Sequence, residues 1–183
     1  MKKVAVLLAD GFEEIEALTA VDLLRRARVY VDTVSITDEY VVHGSHGINV
    51  QTEDLFDEVN FAEFDMVVLP GGLPGTTNLN DHAGVQKVVR EFVESGKYVG
   101  AICAAPSILG GMGLLKGKHA ISYPSFEDKL AGAVITRNPV VQDGNIITSR
   151  GMGTSIDFAL KLVEVMAGAE KASEIGDSIL YFK

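Results

Sequence analysis

The chain has one cysteine, and its setting is unusual. Cys103 stands where the apolar run Tyr98-Val99-Gly100-Ala101-Ile102 gives way to Ala104-Ala105-Pro106. A strand ending there would hand the chain to a helix whose first turn accepts Pro106, because the N–H that proline lacks has no partner in that turn. Such a sharp strand-to-helix turn, a nucleophile elbow, projects one side chain clear of the sheet. Ala101, Ala104 and Ala105 are small enough to leave room for it. A thiol at a helix N-terminus meets the positive dipole end and free amides, so the local sequence predicts a lowered thiol pKa. A reactive sulfur is one reading. The other is an inert cysteine packed as a small hydrophobe.

Three further groups could act beside that sulfur. Gly71 and Gly72 follow Pro70 at another strand end, where a backbone amide can approach a ligand and stabilise an oxyanion or an oxidised sulfur; an ordinary glycine turn is the alternative. Glu13, Glu14 and Glu16 crowd the start of a helix. Glu16 lies one position from the apolar stripe Ile15, Leu18 and Val21. Turned inward beside a thiolate it would stay protonated and donate to sulfur; turned outward it is solvated. Of His43, His46, His82 and His119, none directly follows Cys103, so the adjacent Cys-His of a thiol protease is absent. Their spacing matches no metal signature, and neither a metal nor a cofactor is expected. His46, in a Gly-Ser-His-Gly turn, could border a pocket.

These residues need a scaffold that gathers strand ends. Lys3 to Ala9 is an almost purely apolar run, suited to a strand covered on both faces. Asp10 and Glu13 have capping-box spacing, with Asp10 in the cap position, ahead of a helix to about Arg26. Val29 to Ile36 is the next strand, and residues 38–56 read as a looser hairpin excursion. Asp65 to Pro70 is a strand, Val85 to Glu94 a helix, Tyr98 to Ile102 a strand, Asn145 to Ser149 a strand and Gly153 to Met166 a helix. Alternating elements of this kind build a mostly parallel sheet with helices on both faces, and in such sheets sites form at the carboxyl ends of the strands.

Composition narrows the function classes. The 183 residues are 47% hydrophobic and 22% charged with a net charge of −9, which fits one globular domain over residues 1–183. An acidic surface repels nucleic acid, and Arg25, Arg26 and Arg28 sit where they complement a helix C-terminus. No run is long enough to span a membrane, and the N-terminus lacks a signal-peptide layout. One cysteine excludes an internal disulfide, so a cytoplasmic location is expected.

Taken in order, Ala9-Asp10-Gly11-Phe12-Glu13-Glu14-Ile15-Glu16, Val68-Leu69-Pro70-Gly71-Gly72, Ala101-Ile102-Cys103-Ala104-Ala105-Pro106 and Thr148-Ser149-Arg150-Gly151-Met152-Gly153-Thr154 resemble the ThiJ/PfpI superfamily. The resemblance is to the branch of the Parkinson-disease-associated protein deglycase. It implies a flavodoxin-like sandwich that forms homodimers, with Cys103 as reactive cysteine, Glu16 as its partner, and Gly72 and Ala104 as amide donors. It implies glutathione-independent glyoxalase chemistry on methylglyoxal or glyoxal, or removal of early glycation adducts. The alternative is a redox-sensing stress protein or chaperone whose cysteine becomes a sulfinate. Three positions depart from relatives. Tyr123 precedes Pro124 where some carry histidine, His46 stands where close relatives carry arginine, and Ala104 replaces the histidine of the protease branch.

Overall fold

The structure, a computed structural model, describes residues 1–181. In chain order the strands are β1 (Lys3–Leu8), β2 (Tyr30–Ser35), β3 (Val41–His43), β4 (Asn49–Gln51), β5 (Asp54–Leu55), β6 (Met66–Leu69), β7 (Tyr98–Ile102), β8 (His119–Ala120), β9 (Val134–Ile135), β10 (Val140–Asp143) and β11 (Ile146–Ser149). The helices are α1 (Glu14–Arg26), α2 (Gly75–Asp81), α3 (Ala83–Glu94), α4 (Pro106–Gly111), α5 (Ser155–Ala167) and α6 (Ala169–Ser178). Seven strands form one sheet in the order β10-β11-β7-β6-β1-β2-β5, parallel except for β10. The run β2-β1-β6-β7-β11 is the 2-1-3-4-5 order of a flavodoxin-like sheet, whose switch point lies between β1 and the strand after it in the sheet, β6.

The β1 sequence shows why both faces are covered. Successive strand residues point to opposite faces. Val4, Val6 and Leu8 join Ala17, Leu24, Phe158 and Leu162 of α1 and α5 in one core. Ala5, Leu7 and Ala9 join Val85, Val89, Phe92 and Ile108 of α3 and α4 in the other. Each fully buried Leu or Phe contributes about 1.5–3 kcal/mol, so an uninterrupted apolar strand is what a two-faced sheet requires.

The start of α1 corrects two sequence expectations. Its cap is Glu13, not Asp10: the Glu13 carboxylate accepts from the Glu16 N–H at 2.7 Å. Asp10 instead accepts from the His43 backbone N–H at 2.8 Å, tying the β3–β4 hairpin to the end of β1. The buried stripe is also rotated. Ile15 is 49% exposed, while Glu14 and Glu16 are 2% and 1% exposed alongside Ala17, Ala20, Val21 and Leu24. At the far end, Arg25 and Arg26 fall in the last turn of the helix, as a helix-end role requires. Arg25 pairs with Glu53 and Arg26 with Asp22.

Candidate active site

Three strand ends meet at this site. The β7 end turns at Cys103, whose φ of +64° lies in the left-handed region that side-chain-bearing residues rarely occupy. Two backbone hydrogen bonds hold it there: its N–H donates to Ser149 O at 3.0 Å, and its carbonyl accepts from the Tyr123 N–H at 2.8 Å. Pro106 then opens α4 in its first turn. The elbow predicted from local sequence is present as geometry, clamped from β11 and from the segment after β8.

The β6 end contributes Gly71 and Gly72, and both must be glycine. A Cβ on Gly71 would lie 2.6 Å from Cys103 Cβ and 2.6 Å from Glu16 Oε2. Gly72 has φ +91°, and a Cβ there would lie 2.4 Å from Glu13 N and 2.5 Å from Gly11 O. The β1 and β6 ends are therefore in backbone contact, and the missing side chains are what let Glu16 reach Cys103.

Glu16 turns inward, so the solvated reading of it is overturned. Its Oε2 accepts from the Gly71 N–H at 2.8 Å, and its Oε1 is buried without a fixed hydrogen-bond partner. Cys103 is the side chain it interacts with. Burial pushes the Glu16 carboxyl up to about 7, despite the lowering effects of Cys103 and the Gly71 amide.

The expected lowering of the thiol pKa is not what the site produces. Burial, then the negative charge of Glu16 and its hydrogen bond, push Cys103 up to about 12, against the lowering effect of the Ala104 and Gly72 N–H groups that donate to sulfur. The helix-end argument assumed a solvated sulfur with no acid beside it. The two groups form a pair that loses its first proton near 7 and its second near 12. Between those values it holds one proton and one negative charge.

A cavity of about 420 Å³ opens on the sulfur, lined by Glu13, Ser45, His46, Gly72, Leu73, Cys103, Ala104, Tyr123, Ser125 and Phe126. Of the residues singled out in the sequence, Cys103, Gly72, Ala104, His46 and Tyr123 face this space, while Gly71 and Glu16 stand behind it. Gly151 also lies against the pair: a Cβ there would lie 3.8 Å from Cys103 Sγ and 3.9 Å from Glu16 Oε1. Its motif was visible in the sequence but its position beside the sulfur was not.

Glu14 was read only as a helix-end charge, and its place is unexpected. It accepts from the His46 N–H at 2.6 Å and lies 2.8 Å from His46 Nδ1, which pins the β3–β4 turn against α1. Burial would raise its carboxyl, but the His46 ring and the backbone N–H groups of Glu14, His46 and Ile48 hold it down at about 2. Glu13, Glu14 and His46 bring ligand-capable atoms within 4.8 Å of one another, although Glu14 already accepts from several protein donors. The other three histidines have separate contacts: His82 caps α3, His43 meets Asp10 and His119 meets Asp143.

The sequence pattern of the DJ-1/PfpI family matches residues 2–165. Protein dj-1beta of Drosophila melanogaster is 38% identical over 181 residues, covering 98% of this chain and 97% of its own. The glutathione-independent glyoxalase DJ-1 of Schizosaccharomyces pombe is 31% identical over 189 residues, covering 98% of each. The chain spans less than half the length of two Arabidopsis thaliana DJ-1 homologues that it matches, 46% and 41%. Oxidised DJ-1 of Toxoplasma gondii superposes over the whole of both chains with a TM-score of 0.96 at 36% identity. Among the described residues no helix is long and apolar enough to cross a membrane.

Proposed function

The chain belongs to the DJ-1/PfpI family, and we propose that it is a cysteine-dependent, glutathione-independent glyoxalase acting on methylglyoxal, glyoxal or early glycation adducts in carbonyl-stress defence. The observation that carries this reading is the buried Glu16 carboxyl beside Cys103, a sulfur that also receives two amide donors and opens onto a cavity. The pair can add a thiol to an aldehyde and then move a proton between neighbouring carbons, which is what the conversion demands.

Glu16 carboxylate takes the thiol proton as sulfur bonds to the aldehyde carbon, and returns it to the alkoxide, giving a hemithioacetal. It then removes the hydrogen on that carbon and delivers it to the adjacent one, while the hydroxyl proton moves to the neighbouring oxygen. The product is a 2-hydroxy thioester on Cys103. The Gly72 and Ala104 amides stabilise the oxygen charge that develops next to sulfur. Water releases lactate from methylglyoxal, or glycolate from glyoxal. Purified protein without glutathione is expected to convert methylglyoxal to lactate, followed by enzymatic lactate determination. Absence of lactate, or lactate formation untouched by loss of the thiol, rejects the reading.

A second reading is supported by the same two amides, because they can also hold the oxygens of a sulfinate. With one cysteine, a sulfenic acid has no internal thiol to resolve it. Graded peroxide is expected to add two oxygens at Cys103 before any methionine oxidises, by intact mass and peptide mapping. Methionine oxidation preceding it counts against a sensor.

The proposed enzyme is a homodimer. Ile15, Ile48 and Ile156 support this: they are 49%, 53% and 38% exposed, on or beside the packed pair α1 and α5. Sedimentation equilibrium is expected to give twice the chain mass, and the mass of a single chain removes the dimer.

A further inference from the structure

His46 faces the Cys103 cavity from the β3–β4 turn, an element separate from those that build the thiol pair. Its Nδ1 lies 2.8 Å from Glu14 Oε2 and 3.0 Å from Ser45 Oγ. Glu14 is buried, and it also accepts from the backbone N–H groups of His46 and Ile48. An ionised carboxylate can only accept, so Nδ1 carries the proton of the neutral ring and Nε2 carries the lone pair. Among the described residues Nε2 has no hydrogen-bond partner. The imidazole itself is 70% exposed on the side chain, open to water.

We infer that His46 is the general base that activates the water releasing product from Cys103, with Glu14 as the positioning residue that sets its tautomer. The inference rests on the glyoxalase reading above and assigns its last step. Nε2 takes a proton from water as the water oxygen bonds to the thioester carbon, and the carbon–sulfur bond then breaks. The leaving thiolate recovers a proton from the new carboxylic acid through Glu16, the product departs as a 2-hydroxy carboxylate, and His46 gives its proton to solvent. Glu16 reaches atoms bonded to the sulfur but is only 1% exposed, whereas the His46 ring opens onto the water of the cavity.

The groups that face His46 are Glu14 and Glu13 of α1, with Glu13 Oε1 3.9 Å from Nδ1, Ser45 of its own turn, and across the cavity Tyr123 and Cys103, with Glu16 behind the sulfur. Glu14 raises the His46 pKa above its ordinary value. Deacylation is therefore expected to fall as pH drops through that raised value.

The test uses the full chain with methylglyoxal, comparing wild type, His46→Gln and His46→Arg. Both variants are expected to lose about 100-fold in steady-state turnover. Acid-quenched intact mass should show the thioester accumulating on Cys103, with the alkylation rate of the free thiol unchanged. The acid limb assigned to His46 should vanish from the pH profile of single-turnover deacylation. Full activity in His46→Arg would make the residue a cation and not a base, which overturns the assignment. So would unchanged turnover in His46→Gln, or reduced turnover without the thioester. A wild type that forms no lactate instead removes the glyoxalase reading itself.

Discussion

Cys103→Ser is expected to lower methylglyoxal turnover by about 10³-fold or more while the melting temperature moves by only a few degrees. The substitution keeps a small polar atom on the elbow, so the backbone bonds to Ser149 and Tyr123 that hold φ at +64° remain. What changes is the nucleophile. Even with the Gly72 and Ala104 amides aimed at it, a serine hydroxyl beside a buried carboxyl stays protonated and adds poorly to an aldehyde. The two readouts separate chemistry from folding. A variant that retains lactate formation would place the reaction elsewhere, and one that unfolds would mean the thiol's main task is packing. The same variant should take up no oxygen at position 103 under peroxide.

Glu16→Gln is expected to cut turnover by about 10³-fold while making Cys103 more reactive toward iodoacetamide at neutral pH. In the wild type, the negative charge of Glu16 and its hydrogen bond both raise the thiol pKa. A neutral amide removes the charge, so the sulfur ionises more easily. Turnover still falls, because glutamine cannot accept the proton that must move between carbons. Alkylation that slows in the variant would mean that a protonated Glu16 had been holding the thiolate by donation. In the wild type, kcat/KM should rise with pH through about 7, as Glu16 ionises.

Stability should follow the opposite course. The Glu16 pKa is raised in the folded protein, so the fold binds that proton more tightly than the unfolded chain does. Its contribution is fully present below the ordinary carboxylate value of 4.5 and is lost as pH rises through about 7. Glu16→Gln removes this loss and should melt higher than wild type at pH 8, by on the order of 1–3 kcal/mol in unfolding free energy. A lower melting temperature at that pH would contradict burial as the cause of the raised pKa.

The amino-acid sequence determined the scaffold largely by itself. Apolar runs such as Lys3–Leu8 and Tyr98–Ile102 announced two-faced strands, and the Cys103-to-Pro106 stretch announced the elbow, because burial on both faces and proline at a helix start are local requirements. Elements with weak local signals escaped. Helix α2 is rich in Gly, Thr and Asn, α6 buries little beyond Ile175 and Gly176, and β10 is a short antiparallel edge strand.

Tertiary structure decided the chemistry. Periodicity placed Ile15 on the buried stripe of α1, but the β3–β4 turn covers Glu14 and the glycine loop after β6 covers Glu16, which puts both inside. The thiol pKa reversed direction for the same reason. A helix end is written in neighbouring residues, whereas desolvation and the charge of Glu16 arise only when a segment about ninety positions away is folded against the sulfur. Hydrogen-bond partners and dielectric belong to the assembled space, and so Glu14 and His46 became a pair only there.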